Sequence, residues 1–263
     1  MNTRLLAAVA AIALALAAGP VRATAYSTDY SDLWWNPAES GWGIQFVQQA
    51  NVIFATMFVY DAQGNPTWYT ATLDPAGGPL WRGDLYLTRG SWFGSSFDAG
   101  DTGYRRVGRM SASFATPTGA ALAYDVDGVN VAKTIQRQTL RNENFSGTYA
   151  GFMRMAASGC TGVPANETLY AGFAAEVSQA PGGLTADLAI IEESMMLYCT
   201  YRGDYSQSGR FGRSQGTFQC PGGDAGTFTF SEMTVQQWTV SANFVRRGAD
   251  GCTLSGTLSG VRE

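Results

Sequence analysis

The chain of 263 residues is long enough for two ordinary domains, carries 17 basic against 21 acidic residues, and contains no histidine. Without an imidazole, every Ser-His or Cys-His nucleophile and every His-ligated metal site is excluded, which leaves carboxylate, Tyr, Ser or Arg chemistry. The acidic balance argues against nucleic acid as a partner, while 32 glycines and only 14% charged residues suit a turn-rich β protein.

In chain order, the first feature is Arg4, an apolar run of 14 residues from Leu5 to Ala18, and the triplet Ala23-Thr24-Ala25. This is the layout of a secretory signal peptide, residues 1–25, cleaved after Ala25 or Ala23. As a membrane span the run is too short, since a bilayer core needs about 20 apolar residues. Removal takes away Arg4 and Arg22 and no acid, so the mature chain has 15 bases against 21 acids, a net charge of −6. The expected location is the periplasm or the medium, with no transmembrane segment in the mature chain. Lys133 is the only lysine, which reads as codon usage rather than as a binding feature.

Alternation of apolar and polar residues, punctuated by Gly, Asn, Asp and Pro, recurs from residue 43 onward. Val52 to Tyr60 reads as a strand, "DAQGNP" as a turn, and Thr67 to Leu73 as the returning strand, with Pro66 at its entrance. Further strands follow near 80–88 and in "VGRMSASFA". Asp127-Gly128 then separates two strands as a two-residue hairpin turn, which needs positive φ at both positions. This half, residues 26–141, holds about seven strands in an up-and-down meander that must close or pack on another sheet to protect its edges.

Near residue 142 the composition turns polar and the meander restarts, with about eight strands over residues 142–263. The expected fold class is all-β: two small antiparallel up-and-down β-barrel or sandwich domains. The tripeptide Arg-Gly-Asp at 82–84 and again at 202–204, each time beside an aromatic residue, is a faint sign that the halves are distant copies.

All four cysteines lie in the second half, and an even number in an exported chain reads as two disulfides. A hairpin turning near Gln207 to Gly209 sets Cys199 opposite Cys220. In a closed barrel the first and last strands are neighbours, which brings Cys160 towards Cys252. The predicted pairs are therefore Cys199 with Cys220 and Cys160 with Cys252.

The stretches "DYSDLWWNPAESGWGIQFVQQ", "IFATMFVYDAQGNPTWYTATL" and "LWRGDLYLTRGSWFGSSF" carry a resemblance. Over about residues 29–141 the chain resembles an uncharacterised repeat of exported proteins from Gram-negative bacteria, marked by W-W-N-P-x-E-S-G-W-G followed by P-T-W-Y. The resemblance implies a secreted β-rich module and carries no activity, cofactor or substrate. It does not extend into the cysteine-containing half.

Six of the seven tryptophans fall in the first half, three of them between Trp34 and Trp42. Rings of this size either fill a barrel or form a platform for a ligand. Neighbours on a strand face opposite sides, so Trp34 and Trp35 cannot both be core, and Trp68 and Tyr69 also diverge. Trp35, Trp42, Trp68 and Tyr69 are the residues from which an aromatic barrel mouth is expected, with Glu39 beside them as hydrogen-bond acceptor. Such a surface suits a glycan or a small apolar ligand.

No catalytic residue, metal or cofactor is assigned. Glu192 and Glu193 are adjacent and point apart on a strand, Asp125 and Asp127 sit at a hairpin turn, and Glu39 has no sequence partner, whereas a glycosidase needs two carboxylates flanking one bond. The sequence therefore reads as an exported binding module. The alternative is a structural or inhibitor-like protein that contacts another exported protein and uses its tryptophans as core. An outer-membrane barrel fits the alternation but not the four cysteines or the polar "LSGVRE" end.

Overall fold

The computed structural model describes residues 28–161, 167–192 and 195–263. The predicted signal peptide and Glu193 lie outside the described residues. The chain forms two closed eight-stranded antiparallel barrels. The first is built from β1 (Asp32–Trp35), β2 (Gly43–Gln49), β3 (Val52–Tyr60), β4 (Pro66–Pro75), β5 (Leu80–Arg89), β6 (Gly103–Ser113), β7 (Gly119–Val126) and β8 (Val129–Arg137). The second is built from β9 (Gly147–Ser158), β10 (Thr168–Ala180), β11 (Gly183–Glu192), β12 (Met195–Ser208), β13 (Phe211–Gln219), β14 (Ala225–Val235), β15 (Thr239–Gly248) and β16 (Thr253–Arg262). No helix among the described residues is long and apolar enough to cross a membrane.

Each strand pairs with the next in sequence, and closure comes from the β1–β8 pair, Trp34 opposite Arg137, and from the β9–β16 pair, Gly256 opposite Met155. The alternation read from the sequence sets which residues turn inward. Ile44 and Phe46, Ile53, Ala55 and Met57, and Ala120 and Leu122 are all buried, while the residues between them are more exposed. In a transmembrane barrel the apolar band would face out instead. The Asp127-Gly128 turn has φ of 47° and 89°, as a two-residue hairpin requires.

The first barrel has one strand more than the seven expected. β1 is only four residues long and ends at the Asn-Pro turn, too short to show alternation. Its Trp34 is nevertheless fully buried, with its indole N–H donating to the Tyr30 carbonyl at 3.0 Å. The two Arg-Gly-Asp tripeptides fall on β5 and β12, the fifth strand of one barrel and the fourth of the other. Successive strands run in opposite directions, so these positions are not equivalent.

The disulfides are Cys199–Cys220 and Cys160–Cys252. The β12–β13 ladder sets Thr200 opposite Gln219, which leaves the flanking cysteines face to face. The second pair staples the closing seam, where Thr253 lies opposite Ser158. Glycine is required at Gly256, because a Cβ there would lie 1.9 Å from the Arg154 carbonyl oxygen on the neighbouring strand.

One end of the first barrel is sealed against the second. The Arg137 side chain has no exposed surface, lies between the Trp34 and Phe211 rings, and donates to the carbonyls of Asp29, Ser31 and Pro117 and to the Asp32 carboxylate. The same Asp32 carboxylate accepts from the Arg210 amide at 3.1 Å, and Arg210 pairs with Asp29 at 2.5 Å. The tight turn between β12 and β13 fits here only through Gly209, which has φ of 58° and where a Cβ would lie 2.2 Å from Asp32 Oδ2. Burial pulls the Arg137 guanidinium below its ordinary range, against the opposing effect of Asp32.

Candidate functional site

The other end of the first barrel carries a layer of half-buried side chains packed on the core: Trp42, Val59, Tyr69, Leu87, Tyr124 and Val126. Their positions follow from parity, because each continues the inward-facing series of its strand past the last fully buried residue. Trp42 precedes Ile44 in that phase, Tyr69 precedes Ala71, and Tyr124 follows Leu122. Lys133 belongs to the same set, two residues before the buried Ile135.

Glu39 reaches this layer from the β1–β2 turn. The turn is folded by Asn36, whose side chain accepts from the Ala38 amide and whose carbonyl accepts from the Glu39 amide, and by Gly41 at φ of 112°. The Glu39 carboxylate then accepts from the Trp42 indole N–H at 3.1 Å and from Lys133 Nζ at 2.5 Å. The same ammonium sits 5.8 Å from the Trp42 ring centroid, within cation–π range. One carboxylate thus fixes both an aromatic plane and a cation at the rim. At its edge Arg105 and Asp127 form a two-pronged pair at 2.6 and 2.9 Å.

The electrostatics fit a rim that is partly dry. The Lys133 ammonium, with help from the Trp42 N–H, holds the Glu39 carboxyl below the usual carboxylate range. Burial pushes the Tyr124 phenol up, with Glu39 and Tyr69 acting in the same direction and Lys133 against. Tyr124 therefore stays a neutral hydrogen-bonding group at any physiological pH. The arrangement offers flat apolar faces, a fixed acceptor, a fixed donor cation and phenol hydroxyls.

The structure brings together Glu39, Trp42 and Tyr69 from the expected set and separates the other two. Trp68 is on the outer wall, 52% exposed, opposite Phe58 and with its indole N–H bonded to Thr88. Trp35 follows the inward Trp34 and so takes the outer face, where it is half-buried. Neither contributes to the mouth, for the alternation that places Trp34 and Tyr69 inside turns their neighbours out. Sequence reasoning missed Lys133 and Tyr124. The signal was present: Lys133 is in phase with Ile135 and Arg137, and an inward lysine has a different meaning from a surface one.

No family model, curated protein or solved structure matches the chain.

Proposed function

We propose that this is an exported, non-catalytic binding module that takes a glycan, or a small organic ligand of similar mixed polarity, at the open mouth of its first barrel. The single observation that carries this is the Glu39 carboxylate, held at once by the Trp42 indole and the Lys133 ammonium at a half-buried rim. A core-filling tryptophan needs no ion pair, whereas a saccharide face stacks on such a ring while its hydroxyls bond to the neighbouring charges. Export follows from the leader and from the resemblance to secreted repeats, and two disulfides suit an oxidising compartment.

The test is a tryptophan-emission titration of the mature protein with a panel of oligosaccharides, alongside Trp42→Ala and Lys133→Met. The reading expects a saturable shift in the wild type that both variants lose while keeping their circular-dichroism spectrum. A response that survives in Trp42→Ala, or none across the panel, ends it. A second reading, contact with another exported protein, is favoured by Phe93, which is 96% exposed on the loop after β5 beside the exposed Trp92 and Phe97. Loss of a partner on substitution of Phe93, with the mouth intact, would favour that alternative.

A further inference from the structure

The second barrel also has a mouth, at the end that carries both disulfides, and its chemistry differs from that of the first. Its walls are Met155, Leu169, Ile190, Leu197 and Leu254, around a cavity of about 330 Å³ that also touches Cys160 and Cys252. Two charged groups line it: Asp250, exposed in the β15–β16 turn where its carboxylate accepts from the Cys252 amide at 2.9 Å, and Arg246, which continues the inward series Val240, Ala242, Phe244 of β15. The Arg246 side chain is only 10% exposed and lies over the Phe218 ring at 4.2 Å.

Arg246 is incompletely satisfied. One terminal nitrogen contacts the Asp224 carboxylate and the Cys220 sulfur, but Nε is buried without a hydrogen-bond acceptor among the described residues. A guanidinium presents its donors as a fork matched to an oxyanion, and leaving one prong empty in an apolar wall is unfavourable. The residue therefore has unused donor capacity, which an oxyanion entering the mouth would reach as the guanidinium turns from Asp224.

We infer that the mouth of the second barrel is a binding site for an anion with an apolar tail, of the aliphatic carboxylate class, with Arg246 holding the head group and the leucine-rich wall covering the chain. This site is separate from the aromatic mouth of the first barrel and does not depend on it. Asp224 is the internal competitor: it occupies part of the guanidinium and is itself 45% exposed, so it can turn to solvent when the ligand arrives. Binding is non-covalent, and no proton or electron moves.

Calorimetric titration of the mature, disulfide-bonded protein with decanoate and with decyltrimethylammonium, which share a tail and differ in head-group charge, tests the assignment. Decanoate is expected to bind at least about tenfold more tightly. Arg246→Met, which keeps the apolar bulk, removes that preference. Asp224→Asn strengthens decanoate binding severalfold, a gain that a merely structural arginine would not produce. Should Arg246→Met fail to fold, Leu197→Trp fills the mouth without touching the guanidinium and must abolish decanoate binding. Trp42→Ala leaves it unchanged. No decanoate binding, equal affinity for the two amphiphiles, or binding indifferent to Leu197→Trp overturns the proposal.

Discussion

The two barrels share a strand count, an up-and-down order and an interior of aromatic rings and alanines, but differ in cross-linking. The first is packed with rings: Tyr30 stacks on Phe114 at 3.8 Å, and Trp34, Phe46 and Trp81 close around them. The second also packs rings, with Tyr201 against Phe218, Phe228 and Phe230, and both interiors hold alanines, but the second has an apolar cavity of about 50 Å³ beside Ala175, Ala186 and Ala242 and carries all the cysteines. The lesson is that one topology can be held by a packed core alone or by a packed core with cross-links. The bridges add to burial by restricting the unfolded chain of the barrel that carries them.

If that is right, removing the cross-links should act on one barrel alone, and the effect should be large. The Cys160–Cys252 bridge closes a loop of 92 residues and the Cys199–Cys220 bridge one of 21. In the chain-entropy account these stabilise by about 4 to 5 and about 3 kcal/mol respectively. Denaturation in reductant is expected to show the second barrel unfolding at far lower denaturant, reported by far-ultraviolet dichroism, while the tryptophan-rich first barrel keeps its midpoint. A single transition shifted as a whole would mean that the barrels unfold as one unit.

The sealed end offers the reverse break. Arg137→Ala removes the donor for three carbonyls and the Asp32 carboxylate and the plate between Trp34 and Phe211. Leaving such a buried network unpaired costs about 3 to 5 kcal/mol. The loss should appear in the tryptophan-monitored transition of the first barrel, and Gly209→Ala should disturb the same contact from the other side. An unchanged midpoint for Arg137→Ala would show that water replaces the guanidinium without penalty.

How much of this was legible in advance divides along physical lines. Strand positions and inward faces follow a period of two, so the barrels and both disulfide pairs could be reasoned from Cys199, Cys220, Cys160 and Cys252 by counting. The short β1 could not, for four residues hold too few periods. Trp42 and Glu39 were readable as neighbours because a three-residue turn brings them together. Lys133 is 94 residues from Glu39, and only closure of β8 onto β1 joins them. Arg137 and Arg246 look like surface charges in sequence, and their burial depends on partners supplied by other strands.

A smaller effect sharpens the comparison in the interior. Ala242→Val adds two carbon atoms beside the cavity of the second barrel and is expected to stabilise it by about 1 kcal/mol. The same change at Ala55 or Ala112, both fully buried in the core of the first barrel, should cost about 1 to 3 kcal/mol. Opposite signs in a thermal melt support a loosely filled second core, whereas two losses would show that its cavity closes in solution.

The smallest predicted effect concerns the rim of the first barrel, and its sign follows from Glu39. A carboxyl held low in the folded state contributes above its unfolded-state pKa and loses that contribution as pH falls through the folded one. Acidification from about pH 7 to about pH 3 should therefore release the Trp42 N–H and the Lys133 ammonium together. Global stability should barely move, because rim ion pairs in contact with water contribute little. The emission of Trp42, taken as the difference between wild type and Trp42→Phe, is expected to shift to the red across that range. Glu39→Ala should show the shifted spectrum already at neutral pH, because it removes the acceptor of both the indole and Lys133. A difference spectrum that stays flat on acidification would mean that core packing alone sets the plane of Trp42. The rim would then lose the pre-set aromatic face on which ligand recognition rests, and the contrast between a polar first mouth and an apolar second one would reduce to charge alone.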